Sequence, residues 1–303
     1  MTENIHSRSS LERKEPLAYA TPESLAPEAH RMVQRRAAGA VLIAGAVIFF
    51  LAELIAAAAW TDPPYSYTYN YISDLGVHGP SRAFGQFMYS PLAWVMNTGF
   101  FLFGITLFAG VVMLRGLRGR HRRAALIPAG LLAAGGVLLA FFPGSGEAMK
   151  DGTIAYHGLG ALAGIVGGNV LVIVLGRRHR LIGVSRKTGK AMVTLGVIGL
   201  VSMAGFLSVA GLGASVLIGL IERAAVYPVL IGLICAGVSI WNRRPLDTRH
   251  APATNTGEAV AQPPDISGGN NVALAAATIA IRENGTDGTS EPGRAFTDPD
   301  TDN

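Results

Sequence analysis

The chain has 303 residues, half of them hydrophobic and only 15% of them Asp, Glu, Lys or Arg, with a net charge of +5 and a mean hydropathy of +0.37. Soluble proteins carry about 25% charged residues, so this composition excludes an ordinary soluble protein and is typical of a membrane protein. Cys235 is the single cysteine, which excludes an internal disulfide, a four-thiolate zinc site and a Cys-x-x-Cys redox pair.

The chain starts with a polar segment, for which we predict a largely disordered cytoplasmic tail over residues 1–36. This segment is too long and too mixed in charge for a cleavable signal peptide, so we expect the first apolar stretch to be an uncleaved anchor. That stretch runs from Ala37 to Trp60, is interrupted only by Glu53, and is followed by the helix breaker Asp62-Pro63-Pro64.

Five further stretches approach the roughly 20 apolar residues that a helix needs to cross a bilayer. The six predicted spans are about 37–60, 92–114, 124–142, 158–175, 190–210 and 217–241. The sequence therefore predicts an all-α, polytopic membrane protein, a bundle of six transmembrane helices over residues 37–241. Residues 242–303 are rich in Gly, Thr, Asp, Asn and Pro, and we predict a disordered cytoplasmic tail there.

The basic residues set the expected orientation, because Lys and Arg near span ends are retained on the cytoplasmic side. On this topology 22 of the 25 Lys and Arg residues lie on one side, and Arg82, Lys150 and Arg223 lie on the other. We therefore predict a protein of the cell (plasma) membrane with both termini in the cytoplasm. Contact with anionic headgroups accounts for the positive charge, so we expect membrane lipids as partners, with a lipid or small molecule as a possible ligand, and no nucleic acid. The sequence does not identify a protein partner.

Small residues in the fourth span predict how the helices pack. Gly160, Gly164 and Gly168 recur every four residues and form one smooth face. Helices in a bilayer associate through close backbone approach, so we expect this face to pack against a neighbouring helix of the same chain.

The predicted topology gathers polar residues from separated parts of the chain on the extracytoplasmic side. They are Glu53, Asn70, Ser73, Asp74, His78, Glu147, Asp151, His157, Glu222 and Arg223. An acidic group inside a bilayer costs about 2.5–3.5 kcal/mol unless it is paired or hydrated, so we expect Glu53 to face the bundle with Arg223 or His157 as its partner. Tyrosine occupies every second position from Tyr65 to Tyr71, which in an extended chain places all four rings along one side, as an interfacial belt or an aromatic wall.

Three kinds of chemistry are open to these polar residues. The candidates for catalysis are His157, Asp74 and Glu53, as an acid and a base. The weaker candidates for a metal site are His78, His157 and Asp74, but neither an HxxxH nor an HExxH spacing occurs, so we expect no metal and no other cofactor. The candidates for a binding site are Asn70, Ser73, Asp74, His157, Glu222 and Arg223.

Four short motifs carry a family resemblance. They are Asn70-Tyr-Ile-Ser-Asp-Leu-Gly76 after the first span, Phe142-Pro143 closing the third, His157-Gly158 opening the fourth, and Gly219-Leu-Ile-Glu-Arg223 opening the sixth. At these residues the sequence resembles domain-of-unknown-function family 998, multi-pass membrane proteins of bacteria and archaea, over about residues 37–241. The resemblance implies a six-helix architecture, and it implies that the six binding candidates are the positions to test; it implies no reaction, substrate or ligand.

The sequence leaves three functions open. The first is a non-enzymatic membrane protein that binds a lipid or small molecule, or regulates a partner, through a polar pocket on the extracytoplasmic side. The second is a membrane-embedded enzyme of the hydrolase type that acts on a lipid or envelope precursor. The third is a transporter, although no inverted repeat is visible and Glu53 is the only candidate for a charge in the middle of a span.

Overall fold

The computed structural model describes residues 22–212 and 217–243. In chain order its elements are α1 (Pro22–Ala59), a 3-10 turn (Ser73–Gly76), β1 (Ser81–Ala83), β2 (Gln86–Met88), α2 (Ala93–Val112), α3 (Gly119–Phe141), α4 (Gly146–Asp151), α5 (Ile154–Arg177), α6 (His179–Ile182), α7 (Arg186–Gly211) and α8 (Ile218–Trp241). Disordered tails were predicted over residues 1–36 and 242–303; residues 1–21 and 244–303 lie outside the described residues, and residues 22–36 are helical as the start of α1.

Six helices in the described ranges are long and apolar enough to cross a membrane, with spans of 20–28 residues and mean hydropathies of 1.9–2.5. The predicted all-α, six-helix fold is confirmed, and the protein is an integral multi-pass membrane protein. The predicted span ends agree with the helix ends to within a few residues, except that α1 begins at Pro22 rather than Ala37. The other five long helices begin within five residues of their predicted starts, because helix breakers and basic residues mark those starts in the sequence.

The six long helices form a closed ring. Each packs on the next along the chain, in the order α1, α2, α3, α5, α7 and α8; α8 then returns to α1 and also contacts α5. Glycines allow the closest approaches. A Cβ on Gly135 of α3 would meet Gly164 N at 2.5 Å and Gly160 O at 2.6 Å, and a Cβ on Gly168 would meet Val229. The predicted packing face of the fourth span is therefore confirmed, with α3 and α8 as its neighbours.

A buried amide ties α5 to α8 in the middle of the bundle. The side-chain nitrogen of Asn169 donates to Ile165 O on its own helix and to Ala225 O on α8, each at 2.9 Å. Ala225 lies one turn before Pro228, which has no backbone N–H to offer to α8. The asparagine thus supplies a donor to a helix that contains an internal proline.

Contacts between connecting segments define two ends of the bundle. At the first, which we call the basic end, Gly116 lies against Leu181 and Gly183 lies against Arg243. The arginines that follow α2 and α5 lie here. At the second, which we call the hairpin end, Leu220 N donates to Thr68 O at 3.2 Å, and the hydroxyl of Ser81 donates to Glu147 at 2.9 Å.

A β-hairpin that the sequence did not predict covers part of the hairpin end. Strands β1 and β2 pair antiparallel, and the two turn residues Phe84 and Gly85 both have positive φ, of 52° and 73°, as a tight two-residue hairpin requires. The ring of Phe84 packs on Tyr71, which packs on Phe206 of α7. The hairpin, which is part of the connection between α1 and α2, therefore packs on the earlier part of that connection, where the predicted site residues Asn70, Ser73 and Asp74 lie.

Candidate functional site

Five ionisable side chains are buried in the described ranges: Glu53, Asp74, His157, Glu222 and Arg223. All five are among the sequence candidates. Four of them come together at the hairpin end, around the loop that joins α1 to α2. His157 makes its hydrogen bond outside this cluster, to Phe142 O.

The centre of this cluster is an ion pair between α1 and α8. Arg223 donates through Nε and Nη2 to Glu53 Oε1, at 3.0 and 2.9 Å, and both side chains are at most 5% exposed. The hydroxyl of Tyr227, one turn along α8, donates to the same carboxylate at 3.0 and 3.1 Å. Of the two partners expected for Glu53, the structure selects Arg223, and both carboxylate oxygens have a partner on α8.

Arg223 also holds the loop. Its Nη1 donates to Tyr67 O at 2.8 Å, to Asn70 O at 3.1 Å and to Gly219 O at 3.0 Å, and its Nη2 donates to the hydroxyl of Tyr65. The guanidinium lies 4.8 Å from the ring centre of Tyr67 and 5.6 Å from that of Tyr65, within the range of a cation–π contact. One buried cation thus fixes the path of the loop against the start of α8.

Two further carboxylates bind backbone amides of the same loop. Glu222 Oε2 accepts a hydrogen bond from Ile72 N, and Asp74 Oδ2 accepts one from Tyr71 N at 3.0 Å. The 3-10 turn that begins at Ser73 has no side-chain cap at its N-terminal end, and Asp74 within it binds the amide of Tyr71. A carboxylate is a strong acceptor for a backbone amide.

Asp74 lies outside the spans, is 2% exposed, and faces little water. Burial raises the pKa of Asp74 to about 7, and the hydrogen bond from Tyr71 N, the side chain of Asn70 and the charge of Arg223 offset only part of that rise. Burial likewise raises the pKa of Tyr71 to about 12, with smaller contributions from Asp74 and Glu222. Around neutral pH this carboxyl exchanges a proton inside the folded protein.

Asn70 joins the loop to the β-hairpin. Its side-chain oxygen accepts from Ser66 N at 2.9 Å, and its side-chain nitrogen donates to Gln86 Oε1 at 3.0 Å. The amide of Gln86 in turn donates to Tyr69 O at 2.8 Å. Gly219 of α8 lies directly against the backbone of Asn70, so that a Cβ at this glycine would collide with it. Asn70 therefore positions the loop and does not present its side chain to a cavity.

A cavity of about 50 Å³ lies below the loop, inside the ring of helices. Its walls come from α1, α2, α3, α5 and α8, with Ile72 and Ser73 of the loop, and they are apolar except for Ser73 and Glu222. From Glu222 to Val229 the wall runs about 10 Å along α8, at 1.5 Å of rise per residue. The volume would hold about four water molecules. The site is therefore a narrow apolar slot with two polar side chains.

His157 is at the start of α5 but does not line this cavity. Its Nδ1 donates to Phe142 O at 2.9 Å, just after the end of α3, and its ring packs against Gly144. In the ranges that the structure describes, no carboxylate lies within hydrogen-bond or salt-bridge distance of His157. The histidine thus ties the end of α3 to α5, and the proposed acid–base pair with Asp74 or Glu53 is not formed.

The remaining polar candidates lie on the surface of the hairpin end. His78 is exposed, Glu147 accepts from Ser81, and Asp151 accepts from the amide and hydroxyl of Thr153 at 2.9 and 2.7 Å. Within residues 22–212 and 217–243, no group of three His, Cys, Asp or Glu side chains is arranged to hold a metal ion.

The sequence did not indicate that Tyr65 and Tyr227 belong to the cluster of buried ionisable side chains. Residues 65–71 form turns rather than an extended strand, so the expectation of four rings along one side was wrong. Tyr65 points inward to Arg223, while Tyr69 is 58% exposed. Tyr227 carried a signal that could have been used, because it lies one helical turn after Arg223 and shares its face.

Residues 43–239 match the model of a family described as "Protein of unknown function (DUF998)". The match covers well over half of the chain, so the chain belongs to this family, and the resemblance inferred from the four motifs is confirmed. No curated protein and no solved structure matches the chain. The family description gives no reaction and no ligand.

Proposed function

We propose that this DUF998 protein is a binding protein, which takes the end of an apolar chain, from a lipid or another small amphiphile, into the cavity inside its helix ring. The observation that carries the proposal is the cavity itself, an apolar slot with only Ser73 and Glu222 as polar side chains in its wall. Ligand sites in proteins are typically apolar, with a few placed polar groups that orient the ligand.

The shape of the slot limits what it can hold. Its length of about 10 Å along α8 and its volume of about 50 Å³ fit one thin chain end and exclude a whole phospholipid. Because five helices and the loop line it, a chain end inside the slot exchanges water for apolar contact, at about 25 cal/mol for each Å² buried. Ile72 and Ser73, in the loop held by Arg223, line the slot at the hairpin end.

We further propose that the hairpin end faces outward from the cell membrane, with both termini in the cytoplasm. The basic residues beside α2, α3, α5 and α7 support this orientation, because they gather at the opposite end of the bundle. A background with Cys235→Ala provides a test. Cys introduced at exposed Lys150 should react with a membrane-impermeant maleimide in intact cells, and Cys at exposed Arg120 only after permeabilisation. The reverse labelling pattern would overturn the orientation.

The enzyme alternative lacks a supporting contact. A general acid or base has to lie within hydrogen-bond reach of its partner or substrate, and the ring of His157 is bonded to a backbone carbonyl. Glu53 is bonded to Arg223 and Tyr227 and does not line the cavity. Binding therefore remains the function that we propose.

Purification of the full chain in a mild detergent, followed by native mass spectrometry and mass spectrometry of extracted small molecules, tests the binding proposal. Ala161 lines the cavity, so that Ala161→Phe should fill it. Ala155 lies on the same helix and is exposed, so that Ala155→Phe is the matched control. We expect one amphiphile, or a small set, to be enriched with the wild type and the control and to fall at least tenfold with Ala161→Phe.

The same set of bound molecules at the same level in all three proteins would contradict the proposal. If Ala161→Phe does not yield a folded protein, Val226→Phe fills the cavity from α8 and gives the same test. Circular dichroism and a monodisperse elution profile establish folding before the bound molecules are compared.

A further inference from the structure

We infer that the cavity selects its ligand by the head: an apolar chain that ends in a hydrogen-bond donor, a hydroxyl or an amine, enters in preference to one that ends in a carboxylate or phosphate. This inference rests on the proposed binding function and adds to it the chemical class of the ligand. It follows from which polar atoms face the cavity and from the hydrogen bonds that the neighbouring Arg223 already makes.

The cavity wall offers an acceptor that is only half used. Glu222 is 7% exposed and lines the cavity, and its Oε2 is taken by Ile72 N. Across the described ranges no protein donor reaches its Oε1, and the hydroxyl of Ser73, the other polar group in the wall, has no hydrogen-bond partner there either. A ligand hydroxyl or amine would supply the missing donor, whereas a carboxylate has none to give.

The buried cation cannot serve an anionic ligand. Arg223 donates to Glu53, to the hydroxyl of Tyr65 and to three backbone carbonyls, and it is not part of the cavity wall. All five of its N–H groups are therefore engaged by the protein. An anion in the cavity would have to break these bonds to gain a positive partner.

The basic residues of the hairpin end give an anion in the cavity no partner. Three buried carboxyl groups, those of Glu53, Asp74 and Glu222, lie around the buried guanidinium of Arg223. The two other basic residues that the structure describes at the hairpin end, Arg82 and Lys150, line a separate surface groove beside the β-hairpin. A buried anion without donors loses its hydration without compensation.

Photoaffinity labelling separates the ligand classes. The probes are eight-carbon alkyl diazirines that differ only at the end: a hydroxyl, an ammonium, a carboxylate, or a methyl group with no head. Each is added to the purified full chain in lipid nanodiscs, and labelled residues are mapped by mass spectrometry. We expect the hydroxyl and ammonium probes to label cavity residues such as Val229 at least tenfold more than the carboxylate probe does.

Variants test whether Glu222 sets this preference. Glu222→Gln keeps an acceptor for Ile72 N but replaces the free acceptor oxygen by an N–H donor, so labelling by the carboxylate probe should rise and the preference for the hydroxyl and ammonium probes should shrink at least fivefold. Glu147→Gln, at an exposed position of the hairpin end, is the matched control and should keep the wild-type preference. If Glu222→Gln does not fold, Ser73→Ala removes the second polar group of the wall and should weaken labelling by the hydroxyl probe.

The outcomes distinguish the two proposals. If all four probes, including the one without a head, fail to label the cavity, the proposed binding function fails. If the headless probe labels the cavity but the carboxylate probe labels it as well as the hydroxyl probe does, binding stands and the donor preference is wrong. An unchanged preference in a folded Glu222→Gln protein would also overturn the inference.

Discussion

Replacing Arg223 by lysine keeps the positive charge and tests the hydrogen-bond geometry alone. The guanidinium serves five acceptors, which are Glu53, Tyr65 and the carbonyls of Tyr67, Asn70 and Gly219. A lysine ammonium has three N–H donors, so at least two acceptors lose their donor. A hydrogen bond to a charged group contributes about 1.5–3 kcal/mol, so we expect Arg223→Lys to lower the free energy of unfolding by about 3 kcal/mol or more.

Unfolding by SDS in mixed micelles, followed by circular dichroism, measures this loss. Arg82→Lys is the matched control, because Arg82 lies at the same end of the bundle but is exposed, and we expect a change of at most about 0.5 kcal/mol there. The loop between α1 and α2 should also become more accessible to protease in Arg223→Lys. A folded Arg223→Lys protein with the stability and protease resistance of the wild type would refute the assigned role of the guanidinium.

Three further substitutions test other parts of the structure by the same unfolding assay. Glu53→Gln leaves Arg223 buried without its anion and should cost about 3–5 kcal/mol; wild-type stability would mean that Glu53 is protonated and hydrogen-bonded instead of ion-paired. The pKa of Asp74 is raised to about 7 in the folded protein from about 3.9 in the unfolded chain. The stability that its protonated carboxyl contributes is therefore fully present below about pH 4 and is lost as the pH rises through 7. Wild-type stability should therefore fall between pH 5 and 8 more steeply than that of Asp74→Asn, and equal slopes would rule this out. Gly135→Ala places a Cβ 2.5 Å from the backbone of α5 and should cost about 1–3 kcal/mol, whereas Gly158→Ala meets open space and should be neutral; similar losses in both would show that the glycine contact does not matter.

Part of the site was readable in the sequence. Glu53 and Arg223 were singled out because a charge in an apolar span needs a partner, and the structure pairs them. Asp74 and Glu222 were grouped with them by topology, and both bind the same loop. His157 was grouped by the same argument, but its ring nitrogen bonds Phe142 O. Topology assigns a residue to an end of the bundle and does not assign it to one side of that end.

The β-hairpin, the position of Tyr65 and the cavity could not be predicted from the sequence. The β-hairpin consists of two three-residue strands, which are too short to show an alternation, and its turn places Phe84 at a positive φ where a Gly or Asn is usual. The inward position of Tyr65 depends on the turns that follow it, while the sequence alone suggested an extended chain. The cavity is formed by five helices and the loop together, and no single segment encodes it.

The sequence by itself determined that the chain crosses a membrane six times and which residues lie at each end, because apolar length and the position of basic residues are local properties of the chain. The tertiary structure alone decided that Glu53 pairs with Arg223 and not with His157, which tyrosines join them, and that an apolar slot remains open beside Glu222. These outcomes depend on the rotation of each helix about its axis and on the path of one loop. Both are set by close packing between segments that are distant in the sequence.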